Sequence, residues 1–270
     1  MHDPNFSDLI FQTEEQVEAY AKMFLAASPF DVSLEYSSEA EAAGFAIRRE
    51  RNLKSQLDHF RTVDFTKANI GKIEANYHKI TKTTYKNPLS SEGAAKQSSR
   101  FNYKDNPLFR NQTVYFGKNK LCCEFELFHM EYQREQIKKA FSEKSSYQDG
   151  ELRFPKHLTK QYKINLDNVL ILSSKPSWDA INIQPSAFMN EWYDLNEEYE
   201  IPSSSQILGT IARVHKFNGI LYKSVRYQTA SNLVIFTENA GDLNFQEIES
   251  QDYNPSPEII PENENSIGMH

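Results

Sequence analysis

The most specific stretch of this sequence reads Gly219-Ile220-Leu221-Tyr222-Lys223-Ser224-Val225-Arg226, and Asn232-Leu233-Val234-Ile235-Phe236 follows a few residues later. The apolar runs predict two short strands, at 219–222 and 232–236. Ser224 and Arg226 fall between these strands. We expect the two strands to close a domain in which helices and strands are interleaved.

Upstream of this stretch, helical and strand patterns alternate at irregular spacing. The predicted elements are a strand at 111–116, a helix at 120–141, a polar connection at 142–165, a buried strand at 166–172 and helical segments around 186–199 and 203–216. Short strands at irregular spacing favour an α+β fold with a split mixed sheet and flanking helices over a doubly wound nucleotide-binding fold. The sequence also contains neither G-x-G-x-x-G nor a P-loop, so neither standard phosphate cradle is present.

Three regions are predicted along the chain. Residues 1–75 form a helical N-terminal extension, because Thr13-Glu14-Glu15-Gln16 and Ser38-Glu39-Ala40-Glu41 both resemble helix starts followed by apolar residues at helical spacing. Residues 76–239 form the main domain. Residues 240–270 lack hydrophobic periodicity and are predicted to be an acidic, disordered tail.

The charge distribution argues against a nucleic-acid partner. The chain has 270 residues and a formal net charge of −7, and the seven acids of residues 240–270, with no lysine or arginine among them, account for that charge. The remainder is near neutral and offers no basic excess for a phosphate backbone. No stretch is apolar enough to cross a membrane and the N-terminus has no signal pattern, so we expect a cytoplasmic protein without a membrane partner.

The two cysteines, Cys122 and Cys123, are adjacent in sequence. Adjacent cysteines rarely form a disulfide, because the required geometry strains the intervening peptide. Two free thiols fit a reducing compartment. The histidines show no paired metal spacing, so we predict no metal site.

Arg100 is the first candidate site residue. It follows a loop rich in serine, at 87–99, and is followed by Phe101 and Asn102. A guanidinium is always charged and binds a phosphate or pyrophosphate through paired hydrogen bonds. An Arg-Phe-Asn tripeptide is common, however, and by itself is most often a surface feature.

A second pair of candidates is Tyr115 on the predicted strand and Glu126 on the helix that follows it. Glu124 and Glu126 form an E-x-E triplet, as in arginine-specific ADP-ribosyltransferases. On a strand both carboxylates would share a face. On a helix they diverge by about 200°, so that only one serves a given site. The predicted helix favours Glu126, while an ordinary solvated acid is the simpler alternative.

The order and spacing of these residues resemble the RES domain family. The resemblance covers roughly residues 76–238. Three segments carry it. They are Ser99-Arg100-Phe101-Asn102, then Tyr115 eleven residues before Glu126 with the small Cys122 and Cys123 between them, and then the segment from Gly219 to Arg226. Gln206 also fits the family pattern. RES proteins are mostly bacterial toxins that destroy NAD on a fold similar to ADP-ribosyltransferases.

The resemblance implies an NAD-consuming toxin that breaks the nicotinamide–ribose bond, by hydrolysis or phosphorolysis, with NAD as substrate and no further cofactor. Glu126, Arg100 and Tyr115 would be catalytic, and Ser224, Arg226, Phe101 and Asn102 would bind substrate. Ser224 is a binder rather than a nucleophile, since no Ser-His-Asp constellation is visible. Arg226 is either a second cation or half of a surface ion pair. The family also implies a helix-turn-helix antitoxin as partner.

One departure from the family pattern concerns Tyr77-His78-Lys79-Ile80, where RES domains usually have an arginine. Lys79 would stand in for it and bind substrate, keeping the charge but losing the bidentate geometry. Two alternatives therefore stay open. One is an ADP-ribosyltransferase that modifies a macromolecule, and the other is a degenerate RES domain that binds a nucleotide or a partner without turnover.

Overall fold

A computed structural model describes residues 13–27, 38–85, 87–92, 96–106, 108–128, 157–189, 192–241 and 245–253 of the chain. The helices are α1 (Glu14–Ala27), α2 (Glu39–Asp58), α3 (described over 120–128), α4 (Lys175–Ala180), α5 (Ser186–Met189), α6 (Tyr193–Tyr199), α7 (Ser204–Val214) and α8 (Thr237–Ala240), with a 3-10 helix at Phe65–Lys67. The strands are β1 (Ile70–Lys82), β2 (Thr113–Gly117), β3 (His157–Leu172), β4 (Gly219–Lys223), β5 (Ser231–Phe236) and β6 (Phe245–Tyr253).

The strands form a mixed sheet in the order β1-β2-β5-β4-β3-β6. The pair β3–β4 is parallel and the other pairs are antiparallel. β1 pairs with β2 at His78↔Gly117 and also runs along β3 from Ile70↔Leu170 to Lys82↔His157. The sheet therefore curls until β1, at its edge, also pairs with β3. The predicted α+β class, with a mixed sheet and flanking helices, is confirmed.

The two faces of the curled sheet carry separate apolar clusters. The inner face is packed with strand residues (Ile73, Tyr77, Val114, Phe116, Tyr162, Ile164, Leu166, Val169, Leu233 and Ile235). The outer face carries Leu170, Leu172, Ile220, Tyr222, Val234 and Phe236, which pack against helices and the segment around Phe101. Because neighbouring strand residues point to opposite faces, this division follows from alternation along each strand.

The N-terminal helices form as the sequence predicts. Gln16 N–H donates to Thr13 Oγ1 at 3.2 Å and Thr13 N–H donates to Gln16 Oε1 at 3.1 Å, a reciprocal capping box. At α2, Glu41 N–H donates to Ser38 Oγ at 3.3 Å. The apolar residues of both helices (Val17, Ala21, Phe24, Leu53 and Leu57) belong to the core on the outer face of the sheet. These helices therefore pack on the main domain, and β1 begins at Ile70, a few residues before the predicted boundary.

Two predictions were wrong, both where a polar segment forms a strand. Residues 157–165, predicted as connection, belong to β3, and residues 245–253, predicted as disordered tail, form β6 along β3. Backbone hydrogen bonds to a neighbouring strand hold both segments, and local apolar periodicity does not reveal such pairing. The second half of the predicted helix 120–141 and the residues after 253 lie outside the described residues.

Candidate functional site

The site lies on the outer face of the sheet, where α3 approaches β2 and β5. Gly117, the last residue of β2, lies beside Asn232 in the register, and Asn232 lies opposite Tyr222 of β4. A Cβ added to Gly117 would lie 2.7 Å from Cys123 Sγ, which is closer than real Cβ contacts. Glycine at this position therefore lets the first turn of α3 come close to the end of the strand.

The Glu126 carboxylate is the centre of the site. Its Oε1 accepts from Ser224 Oγ and from Asn232 Nδ2, each at 2.7 Å, and its Oε2 lies 3.8 Å from Arg226 Nε. Tyr227 N–H donates to Ser224 Oγ at 2.9 Å, which leaves the serine proton for Glu126. The Glu126 side chain keeps 26% of its surface exposed. The carboxylate is thus fixed through one oxygen, and the side chain stays partly accessible to solvent.

The helical conformation of residues 120–128 separates the two acids of the E-x-E triplet. Glu124 is 2% exposed, and among the described residues it is Glu126 that contacts Ser224 and Asn232. The choice of Glu126 over Glu124 as the catalytic acid stays a prediction. An E-x-E arrangement with both carboxylates in one site is incompatible with the helix.

Arg100 lies in a short loop that helix α7 holds in place. Gln206 Nε2 donates to the carbonyls of Ser99 at 3.0 Å and Asn102 at 3.1 Å. Arg100 Nη1 donates to the carbonyl of Phe188 at 2.9 Å, and the residue is 6% exposed. The charge of Arg100 acts on Tyr222 and on Arg226, the cation that lies beside Glu126.

Gly209 sets how closely this loop approaches α7. A Cβ at Gly209 would lie 2.4 Å from the carbonyl oxygen of Phe101 and 2.9 Å from its Cβ. The loop backbone therefore occupies the space that any side chain at Gly209 would need. The position of Arg100 depends on this close backbone contact.

Tyr115 joins the Arg100 loop to β2 through its hydroxyl group. The hydroxyl accepts from Phe101 N–H at 3.0 Å and shares a 2.9 Å hydrogen bond with Ser99 Oγ. Burial raises the pKa of Tyr115, so the phenol keeps its proton at neutral pH. These contacts give Tyr115 a role in positioning the residues on either side of Arg100.

Phe101 and Asn102 were predicted to bind substrate, and the structure places both side chains in the interior. Both are 0% exposed. The Phe101 ring packs edge-on against Tyr222 with centroids 4.9 Å apart. Asn102 Nδ2 donates to the Gln97 carbonyl at 2.8 Å, and its Oδ1 accepts from Asn111 N–H at 2.6 Å. Both residues hold the loop rather than face a ligand, because the loop folds inward onto the core.

Lys79 does not join the other site residues. Its ammonium donates to the Tyr115 carbonyl at 3.1 Å and lies 5.6 Å from the centroid of the Phe116 ring. Phe116 belongs to the inner cluster, whereas the Tyr115 side chain reaches the Arg100 loop on the outer face. Burial lowers the pKa of Lys79 to about 8. The expected substitute for the family arginine therefore lies on the wrong face of the sheet.

Sequence reasoning missed Asn232, Tyr222 and Cys122 as site residues, although all three stand in the quoted motifs. Asn232 donates to Glu126, and Cys122 Sγ donates to Asn232 Oδ1 at 3.1 Å. Tyr222 is 3% exposed. Burial, and to a lesser extent the negative charge of Glu126, raises the pKa of Tyr222 well above the ordinary value of a tyrosine. The sequence did carry a signal for two of them. Tyr222 and Asn232 are polar residues within apolar strand motifs, and they face each other when the two strands pair.

Within the described ranges, no three side chains of histidine, cysteine, aspartate or glutamate converge as metal ligands. In the same ranges, no helix has the length and apolar character that crossing a membrane requires.

Comparison with known proteins identifies the family. A comparison with curated protein sequences finds no match. Among solved structures, the chain is similar to a chain of the crystal structure of the M. tuberculosis MbcT–MbcA toxin–antitoxin complex, with 18% identity over 69% of this chain and 88% of that chain and a TM-score of 0.45. That similarity is too weak to indicate a function. The model of the RES domain, in contrast, matches residues 75–255, more than half of the chain, and the chain therefore belongs to the RES domain family.

Proposed function

We propose that this protein is a RES-type toxin that consumes NAD by cleaving the bond between nicotinamide and ribose. The observation that supports this most directly is the Glu126 carboxylate, which is held by Ser224 and Asn232 and lies beside Arg226 in an accessible position. Of the three residues that mark the family, Glu126 and Ser224 lie 98 residues apart in the sequence and share a hydrogen bond, and the charge of Arg100 acts on Arg226 beside them.

The chemistry of this bond suits a fixed carboxylate. As the C1–N bond breaks, its electron pair leaves with nicotinamide and positive charge develops on the ribose, as in glycoside cleavage. Glu126 would stabilise that charge or accept a hydrogen bond from a ribose hydroxyl through Oε2. Water or phosphate then attacks C1, and when water is the acceptor its proton passes to solvent. The products are nicotinamide and ADP-ribose or its 1-phosphate.

Arg226, which lies beside the carboxylate, and Arg100 would bind the pyrophosphate of NAD. Arg100 is nearly buried and Arg226 keeps 15% of its side chain exposed. A guanidinium donates two parallel hydrogen bonds to a phosphate group, which fixes both position and orientation. The partial exposure of Arg226 allows it to turn from Glu126 towards an incoming phosphate. No further cofactor is needed for this reaction.

We further propose that a protein antitoxin with a helix-turn-helix region blocks this cleft. Membership of the RES domain family supports such a partner. A toxin of this type would act in the cytoplasm, where NAD is available.

The decisive experiment follows NAD and nicotinamide over time with purified protein, with and without phosphate, beside the Glu126→Ala and Glu124→Ala variants. We expect the wild type to deplete NAD and the Glu126 change alone to stop it. If NAD loss requires phosphate, phosphate is the acceptor of the ADP-ribosyl group; if it does not, water is the acceptor. A labelled protein formed from tagged NAD in a lysate would favour the transferase alternative. A folded wild-type protein that leaves NAD intact in both buffers would refute the proposal.

A further inference from the structure

Asn232 is placed to determine how the Glu126 carboxylate is held. It is 4% exposed, lies opposite Tyr222 in the β4–β5 register, and donates from Nδ2 to Glu126 Oε1 at 2.7 Å. Ser224 Oγ donates to the same oxygen at 2.7 Å. With two donors on Oε1, the other oxygen of the carboxylate is the one left for Arg226 and the substrate.

The amide of Asn232 supports Glu126 in one orientation alone. Turned by 180° about its last side-chain bond, it would present an oxygen to the carboxylate and repel it. Cys122 Sγ donates to Asn232 Oδ1 at 3.1 Å. Burial raises the pKa of Cys122 to about 11, so the thiol keeps its proton at neutral pH. The thiol proton complements Asn232 Oδ1, so this contact adds to the preference of the Glu126 carboxylate for the orientation in which Nδ2 faces it.

We infer that Asn232 is a positioning residue for the reaction of this site, and that the Cys122 thiol supports the direction of its amide group. The chain of contacts runs from Cys122 through Asn232 to Glu126 Oε1, and it leaves Glu126 Oε2 on the side of Arg226. Its catalytic consequence rests on the proposed function, because NAD cleavage is the reaction in which the carboxylate would act.

The inference predicts a split between kinetic constants. Asn232→Ala removes a donor from a charged acceptor without removing a substrate contact, and we expect kcat for NAD cleavage to fall about 10- to 100-fold with KM nearly unchanged. Cys122→Ala should lower kcat by roughly a few-fold and Cys122→Ser should restore it, since a hydroxyl also donates. Cys123→Ala is the matched control, because Cys123 Sγ donates to the His78 carbonyl instead.

Asn232→Asp supplies a readout that a purely structural role would not give. The new carboxyl group has the shape of the amide but donates to Glu126 only when it is protonated. It is faced by Glu126 and Cys122 from α3, by Arg226 from the β4–β5 connection and by Tyr222 from β4. Two carboxylates sharing one site raise the pKa of one of them. The activity of this variant, relative to wild type, should therefore rise about tenfold or more as the pH is lowered from neutral towards about 5.

The controls separate this inference from the proposed function. Asn76→Asp makes the same chemical change at an exposed position of β1 and should follow the wild-type pH profile. If wild-type protein does not consume NAD, the proposed function fails. Thermal unfolding then still tests whether Asn232 holds the Glu126 carboxylate. The melting temperature of Asn232→Asp relative to wild type should rise as the pH falls, whereas that of Asn76→Asp should not show this gain. The inference is wrong if Asn232→Asp matches wild type in activity at neutral pH, or if its activity ratio and its relative stability are both independent of pH.

Discussion

Ser224 Oγ donates a 2.7 Å hydrogen bond to Glu126 Oε1, although 98 residues separate the two along the chain. The contact joins the first turns of α3 to the connection between β4 and β5. It forms because β5 lies between β2, which leads into α3, and β4, which leads into Ser224. The order of strands in the sheet thus brings the glutamate and the serine of the family signature together.

The first prediction concerns the negative charge of the site. Glu126→Gln keeps the shape of the side chain and removes its charge, so kcat for NAD cleavage should fall by about 10²- to 10³-fold, as for the loss of one preorganised electrostatic contact. Glu124→Gln should keep kcat within roughly threefold of wild type, because about 200° of helix rotation separates Glu124 from Glu126. Steady-state kinetics of both variants test this, and an equal loss in the two would contradict the assignment of Glu126.

The second prediction concerns the close contact between α7 and the Arg100 loop. Gly209→Ala places a Cβ where the Phe101 carbonyl lies 2.4 Å away, so the loop must shift. We expect a loss of stability of about 1–3 kcal/mol and a higher KM for NAD. Gly44→Ala is the matched control in α2, where the new Cβ would meet a flexible Arg48 side chain at 3.4 Å. That change should instead stabilise the helix by roughly 0.5–1 kcal/mol. Chemical denaturation and kinetics of the pair distinguish a local clash from a general effect of alanine.

The third prediction concerns the hydroxyl group of Tyr115. Tyr115→Phe leaves Phe101 N–H without its acceptor at 3.0 Å, and an unsatisfied buried donor costs about 1–3 kcal/mol. Because the same hydroxyl positions the residues flanking Arg100, NAD affinity should fall together with the free energy of unfolding. Tyr77→Phe removes a hydroxyl that makes no hydrogen bond within the described part of the chain, and it should change both quantities little. If the two phenylalanine variants behave alike, the Tyr115 hydroxyl does not support the loop.

The fourth prediction concerns Lys79 and pH. Burial lowers the pKa of Lys79 from 10.5 to about 8, so the unfolded chain binds its proton more tightly than the folded protein does. Between about pH 8 and 10.5, the unfolded state therefore carries the extra proton, and the lysine contributes increasing stability as the pH rises, by at most about 1.4 kcal/mol per pH unit. Below about pH 8 both states are protonated and the burial penalty is constant.

Lys79→Met removes this titration. The free energy of unfolding of wild type minus that of the variant should increase as the pH rises from about 8 towards 10.5. NAD turnover by the variant should stay close to wild type, since Lys79 lies on the face of the sheet opposite the site. A large loss of turnover in a well-folded Lys79→Met protein would indicate that Lys79 does bind substrate.

Local signals in the sequence identified several elements correctly. The capping box at Thr13 and the N-cap at Ser38 mark the starts of α1 and α2, because each depends on residues within one helical turn. The apolar runs at Gly219 and Asn232 predict β4 and β5, which are buried in the centre of the sheet. The order and spacing of the family signature also indicate Arg100, Glu126 and Ser224 as site residues.

The sequence by itself therefore determined the helix starts, the central strands and the identity of the family residues, since short-range hydrogen bonds and burial leave a local pattern. Tertiary structure decided which polar segments became β3 and β6, because strand pairing joins residues far apart in sequence. It also decided which face each side chain occupies: Lys79 lies inside the curled sheet, Phe101 packs in the core, and Asn232 reaches Glu126 across 106 residues of sequence. Alternation along a strand fixes the relative faces of its residues, but only the packing of α3 and α7 determines which face becomes the site.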